Sequence, residues 1–374
     1  MFRRIWSLAV KEFIHLRSDW WMPAFMLLGG AMELLLVGWA TSRPITNLPL
    51  LVFDQSHSPA SRAVVTALEN TGTFHLQGEV NELQTIQDAL DRGEINAALI
   101  IPSDFSRQMA SPKGKPVLFV ILNGAESTPA SAALRAVQGI ASDLGEKIAV
   151  QRLGVDPQAF AGFNPSLRVW FNQSLSEALY TTPAELGLML EFTVLLFAAL
   201  AFSRERELGT LEQLLVMPFS SLEIILGKSI PVVIVGFTDF VLMLAMVHFA
   251  FGVPVRGSLP LLFLLAFGYL LVELSKGLVI SVVSHTQHQA FLLVMLVGMA
   301  DFMFTGYAAP VESMPLALQY FANLIPAHHW LTILRGLLLK GAGLDVLWPH
   351  VLALAALGLV IGVFSWRYVR RALD

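Results

Sequence analysis

Three groups of residues in this chain could do chemistry by type, and none has the spacing that chemistry needs. Gly227-Lys228-Ser229 has the form of the end of a phosphate-binding loop. Leu222 stands where that loop requires its first glycine, and the tripeptide opens an apolar run instead of joining a strand to a helix. Lys228 is therefore expected at the level of lipid headgroups. His328 and His329 are adjacent, and neighbours on a helix point about 100° apart. They cannot share one ion without a further ligand, which the spacing does not supply. His285 and His288 share a helix face at i, i+3 but flank a turn, where solvated histidines are ordinary. There is no His-Glu-x-x-His pair, no Gly-x-Ser-x-Gly elbow and no cysteine. The expectation is a chain without catalytic residues, without a metal site and without a cofactor of its own.

The other ionisable groups stand out by where they lie. Glu33, Glu191, Asp239, Glu273, Lys276 and Asp301 all fall within or beside long apolar runs. Each would cost about 2.5–3.5 kcal/mol facing lipid at mid-membrane, so each is expected to face protein or water. Glu273 and Lys276, at i, i+3, can pair with each other. Asp239, Glu273, Lys276 and Asp301 are candidates for the lining of a translocation path or a dimer seam. Helix-to-helix ion pairing is the plainer reading, and both stay open on sequence alone.

The elements that must position these groups follow from composition. Of 374 residues, 55% are hydrophobic and only 14% charged, with a mean hydropathy of +0.64, where a soluble chain carries roughly a quarter charged. A net charge of -4 without any basic tract argues against nucleic acid as a partner. Six stretches approach or exceed the ~20 apolar residues a spanning helix needs: about 22–40, 184–203, 228–251, 259–283, 287–307 and 346–366. Before them, residues 1–20 alternate Phe2, Ile5, Trp6, Ala9, Phe13 and Leu16 with Arg3, Arg4, Lys11, Glu12 and Arg17. That is an amphipathic helix suited to lie on membrane lipid, rather than a cleaved signal.

Basic residues fix the expected orientation. With both termini inside, the cytoplasmic segments hold Arg3, Arg4, Lys11, Arg17, Arg204, Arg206, Lys228, Arg367, Arg370 and Arg371, and the short outer loops only Arg256, Arg335 and Lys340. Residues 41–183 then lie outside. Strands at Leu48–Phe53, Phe74–Gln77, Ala97–Ile101 and Pro116–Leu122 alternate with helices at 59–70, 81–92 and 127–153, the pattern of a small α/β domain. The expected fold is an α-helical integral membrane protein of about six transmembrane helices, with an extracytoplasmic α/β domain between helices 1 and 2. Its parts are an interfacial helix 1–20, a first span 21–40, the domain 41–183, and spans 2–6 over 184–374. The last part includes a cytoplasmic segment 204–223 and an outer re-entrant segment 310–341.

That cytoplasmic segment is the most distinctive stretch. Arg204-Glu205-Arg206-Glu207-Leu208-Gly209-Thr210-Leu211-Glu212-Gln213-Leu214-Leu215-Val216-Met217-Pro218 reads as a charged turn and a short amphipathic helix broken by Pro218, with the next helix starting near Ser220-Ser221. Acidic groups are expected outward, and Leu211, Leu214 and Leu215 inward, which would make a docking surface. Together with Glu223 and Leu226-Gly227-Lys228, this run resembles the signature of ABC type-2 permeases, the membrane subunits of ATP-binding-cassette exporters of the bacterial drug-efflux and lipid-export kind. The resemblance continues through Gly277-Leu278-Val279-Ile280-Ser281, Thr286-Gln287-His288-Gln289-Ala290, Pro310-Val311-Glu312-Ser313-Met314-Pro315, Ile325-Pro326, Leu334-Arg335-Gly336 and Leu339-Lys340-Gly341. Lys11-Glu12-Phe13 and Val52-Phe53-Asp54-Gln55-Ser56 fit as well, so it covers nearly the whole chain and is weakest over 60–180.

The resemblance implies a half-transporter in the bacterial cytoplasmic (inner) membrane that dimerises with a second, identical or different, permease. It implies two ATPase subunits beneath it, carrying ATP and Mg, with hydrolysis on those separate chains and none on this one. A periplasmic adaptor protein is a further implied partner. Glu205, Glu207, Gly209, Thr210, Glu212, Leu215 and Pro218 would belong to the helix that couples ATPase closure to transport. Two departures are Thr181-Thr182-Pro183-Ala184-Glu185 at the entry to the second span and Met299-Ala300-Asp301-Phe302-Met303-Phe304-Thr305-Gly306 in the fifth. A membrane receptor or assembly protein with an outer ligand-binding domain is the alternative. It would need a cytoplasmic output domain, where only about eight residues follow the last expected span.

Overall fold

The computed structural model of the chain describes residues 1–42, 45–111, 113–153, 171 and 176–373. The rest, including most of the stretch from 154 to 175 within the expected 41–183 domain, lies outside the described residues. Two compact units make up the chain: Met1–Arg43 with Arg168–Asp374, and Pro44–Leu167.

The first unit opens with α1 (Phe2–Ser18), which buries Leu8 and Ala9 and exposes Arg3, Arg4 and Arg17. After it comes α2 (Trp21–Ser42), which exposes Phe25, Leu28, Met32 and Leu36 between Trp21 and Trp39. Large apolar side chains on an outward helix face, with tryptophans near both ends, suit contact with lipid.

The second unit is an α/β layer structure. In order it comprises β1 (Leu48–Asp54), α3 (Pro59–Glu69), β2 (Phe74–Glu79), α4 (Leu83–Asp91), β3 (Ala97–Ile101), α5 (Phe105–Ala110), β4 (Phe119–Leu122) and α6 (Ser127–Leu153). The sheet runs β2-β1-β3-β4, parallel except for the last pair. Alternation along β1 sends Leu50 and Val52 to a core shared with Val64, Leu68 and Ala133, and Leu51 and Phe53 to the opposite face under Ile86 and Ala89. Asp54 ends β1, accepts from the amides of Ser56 (2.8 Å) and His57 (3.1 Å), and so shapes the turn into α3, which Ser58 and Ser61 cap.

The helical unit resumes with α7 (Glu177–Glu207), α8 (Leu211–Leu215), α9 (Ser221–Phe251), α10 (Leu259–Val283) and α11 (Gln287–Phe304). A 3-10 turn at Val311–Ser313, α12 (Leu316–Ala322), α13 (Pro326–Arg335) and a π-helical turn at Gly336–Lys340 lead to α14 (Leu344–Leu373). Among the described residues six helices are long and apolar enough to cross a membrane: α2, α7, α9, α10, α11 and α14. The most apolar stretch of α7 is 89% buried, against 11% in α2 and α14. α7 is therefore the axis of the bundle, touching α2, α9, α10, α11 and α13. A Cβ on Gly277 would fall 2.5 Å from the Cβ of Ala198, so glycine is what lets α10 lie this close to α7. α7 begins at Glu177, ahead of the expected 184, so residues 177–183 belong to the axial helix and not to the inserted domain.

Candidate functional site

Two polar centres are built into the helical unit. The first joins α7, α10 and α11. Lys276 sits at its middle: its Nζ donates to Asp301 Oδ2 at 2.7 Å, reaches Glu191 Oε1 at 3.4 Å and lies 2.7 Å from Glu273 Oε2. Tyr269 Oη donates to the other Glu191 oxygen at 3.0 Å, and its ring stacks on Trp330 of α13 at 5.1 Å. Glu191, Glu273 and Tyr269 have no solvent exposure. The expected Glu273–Lys276 pair is thus part of a larger knot. One ammonium meets three carboxylates drawn from three helices, which ties the rotation of those helices to one another.

Asp239 stands apart from this knot. It accepts from Thr193 Oγ1 at 2.8 Å across the α9–α7 seam, fully buried. Glu33, expected to face protein or water, is exposed on α2 within this single chain. Glu185 is buried and shares a hydrogen bond with Tyr307. Burial and that carboxylate push the Tyr307 phenol above its usual range. Tyr269 was missing from the expected set. Its position at i−4 from Glu273 and i−7 from Lys276, on one face of α10, is the signal that points to it.

The second centre ties α1 to the ends of α7 and α9, the same end of the bundle that the last turns of α14 reach beside Ile225 and Leu226. Glu205, in the last turn of α7, is 5% exposed. It accepts from Lys11 Nζ at 2.6 Å, from Lys228 Nζ at 3.1 Å and from the Thr210 hydroxyl. Lys228 also donates to Glu12 at 2.8 Å. Arg204 pairs with Asp19 at 3.0 Å, and Arg4 donates to the Pro218 carbonyl at 2.8 Å. A Cβ on Gly227 would meet the Leu8 Cβ at 2.5 Å. Gly227-Lys228-Ser229 is thereby explained: glycine admits α1, and lysine bonds to it. These charges edge a cavity of about 550 Å³ whose walls include Leu8, Phe197 and Leu214.

Lys228 is buried in an ion network, because Glu12 and Glu205 close over it. Two expectations need correction here. Glu205 points inward, because Lys11 and Lys228 hold it. Leu215 is 38% exposed, alongside Val216 at 85% and Met217 at 48%, while only Leu214 is buried. A helix of five residues is little more than one turn, and its leucine spacing does not determine a face. Glu207, Gly209, Glu212 and Pro218 are exposed, with the Glu207 carboxylate accepting from the Gln287 amide at 2.7 Å.

Residues 17–367 match the family described as ABC-2 family transporter protein. The chain is 28% identical over 371 residues to the probable multidrug ABC transporter permease YbhR of Escherichia coli K12, covering 99% of each chain. It is 27% identical over 378 residues to the probable multidrug ABC transporter permease YbhS of the same organism, covering 100% of this chain and 98% of that one. The inner membrane transport permease YhhJ, also of that organism, is 27% identical over 359 residues, covering 95% and 94%. A family match running from the end of α1 to the last turns of α14, over six helices of membrane-spanning length, makes this chain a member of the ABC-2 transporter family.

Proposed function

We propose that this ABC transporter permease is one half of a dimer that exports substrate across a bacterial inner membrane, driven by ATPase subunits on separate chains. On this reading both termini are cytoplasmic, and the unit Pro44–Leu167 is extracytoplasmic, where it can meet a periplasmic adaptor. The basic residues gathered at the end of the bundle shared by α1 and α8 support the orientation. Glu33 supports the dimer: an exposed carboxylate on a lipid-height helix is costly unless a second permease or water covers it. ATP and Mg belong to the partner subunits.

The observation that carries the coupling assignment is the latch of α1 onto Glu205 and Lys228. It joins α1, the end of α7 and the start of α9 into one body, with α8 hung on it by the Thr210–Glu205 bond. A partner pressing on the exposed Leu215-Val216-Met217 edge would move that body as a unit, and with it the axial helix α7. Reversing Glu207 and Glu212 to lysine is expected to abolish transport and release the ATPase subunit from a pull-down, with insertion of the spans unchanged. ATPase stimulation at the wild-type level in that variant would sink the coupling assignment. Topology has its own test. The chain has no cysteine, so Ser111→Cys in intact cells is expected to react with a membrane-impermeant maleimide. Reaction only after permeabilisation would invert the orientation.

A further inference from the structure

At the end of the bundle away from the latch, three histidines converge that the sequence keeps apart. His328 and His329 open α13, and His350 comes from the second turn of α14. Ring centroids are 5.2 Å apart for His328–His329, 5.3 Å for His329–His350 and 6.2 Å for His328–His350. One nitrogen from each ring lies within 4.8 Å of the others. Adjacent histidines usually diverge, but these two sit in a first turn, and the third ligand arrives from a different helix.

The hydrogen bonds say what these nitrogens offer. His329 Nε2 is 2.9 Å from the Asn323 carbonyl oxygen. A carbonyl only accepts, so Nε2 carries the proton, and Nδ1 of the neutral ring presents a lone pair. That Nδ1 is 3.1 Å from His350 Nδ1. His328 Nδ1 is shut off from solvent and has no hydrogen-bond partner, a state that costs about 1–3 kcal/mol if nothing compensates it. Three imidazoles joined by one hydrogen bond leave donors and acceptors unmatched. A cation at their centre would take one nitrogen from each ring, and a metal-bound histidine that donates its other nitrogen to a backbone carbonyl, as His329 does to Asn323, is the usual outer arrangement of such sites.

We propose that His328, His329 and His350 bind a zinc ion that clamps α13 to α14. Zinc–nitrogen bonds of about 2.0–2.1 Å at tetrahedral angles set ligand nitrogens about 3.3 Å apart, which the His329–His350 pair already meets, and His328 needs a shift of only about 1–1.5 Å. Imidazole donors select zinc, nickel or copper over magnesium or calcium. Three nitrogens leave the fourth tetrahedral position open to water. The clamp holds the segment between α11 and α14 against the bundle core through Trp330, Leu331 and Leu334, all fully buried.

The test uses the full chain in detergent, stripped with a chelator and titrated with zinc chloride against a fluorescent zinc indicator. Wild type is expected to take up one zinc per chain and to show a raised unfolding midpoint in zinc but not in magnesium. His350→Gln and His328→Gln, both at half-buried positions, are expected to lose at least about tenfold in zinc affinity and the zinc-dependent shift. His288→Gln, at an exposed site elsewhere, is expected to keep both. Unchanged affinity in the two site variants, an equal shift with magnesium, or no uptake by a well-folded wild type would each overturn the assignment.

Discussion

Replacing Lys276 with methionine is expected to be the most damaging single change in the membrane-spanning part of the chain. The side chain is 15% exposed, and the three carboxylates it holds are almost fully enclosed. Without the ammonium, Glu191, Glu273 and Asp301 lose the cation they share among the described residues, and Glu191 keeps the Tyr269 hydroxyl. Breaking a buried ion pair by removing one partner costs about 3–5 kcal/mol, a large share of the ~5–15 kcal/mol by which folded proteins are stable. Lys276→Met should therefore unfold at a markedly lower temperature in detergent and accumulate poorly in the membrane. A triple variant, Lys276→Met with Glu273→Gln and Asp301→Asn, removes two of the three stranded charges at nearly constant volume, leaves Glu191 on the Tyr269 hydroxyl, and should recover a large part of the stability. Transport by that triple variant then separates the two readings of the cluster. Recovery of transport with stability assigns the knot to helix packing, whereas stability without transport assigns it to the substrate path. A Lys276→Met chain as stable as wild type would show that the knot does not hold the helices at all.

Much of this architecture was legible in the sequence because two solvents leave separate marks. Apolar runs of bilayer length located the six spanning-length helices found among the described residues, and short strand segments alternating with helical stretches located the four strands of the inserted unit, Ala97–Ile101 to the residue. Helix ends were less legible. α7 runs on at both ends past its apolar window, because backbone hydrogen bonding continues where hydropathy stops. α5, six residues long, is too short to show a period. The charged residues were found, but not their partners. Glu12 lies 216 positions before Lys228, and no spacing rule connects them. The same limit hid His350 from His328 and His329. What made Glu191, Glu273, Lys276 and Asp301 visible was the cost of charge in lipid, a property of each residue alone. How they assemble depends on how α7, α10 and α11 rotate against one another.

Glu205→Gln is expected to uncouple the transporter while leaving its spans intact. The glutamine keeps the shape of the side chain and can still bond Thr210, so only the charge is lost. Lys228, with 1% of its side chain exposed, would then retain Glu12 alone, and Lys11 would have no carboxylate closer than Glu12 at 3.8 Å. Lys11 is 37% exposed and can turn to water, so the penalty should fall toward about 2–3 kcal/mol rather than the full buried-pair value. The larger effect is mechanical. Among the described residues Glu205 is the group that joins α1, α7, α9 and the residue before α8, so its loss should loosen the end of α7 from α1 and α9, which stay bonded to each other through Glu12 and Lys228. Membrane insertion and pull-down of the ATPase through the exposed Leu215-Val216-Met217 edge should persist, because that edge is untouched. ATP turnover should then lose its response to transported substrate. Adding Lys228→Met to Glu205→Gln removes the buried cation that has lost one of its two carboxylates, and should restore thermal stability without restoring the coupled turnover, because the latch is still absent. Full coupling in the single variant would mean that α8 transmits force without α1, and would move the transmission path to the Glu207–Gln287 contact with α11.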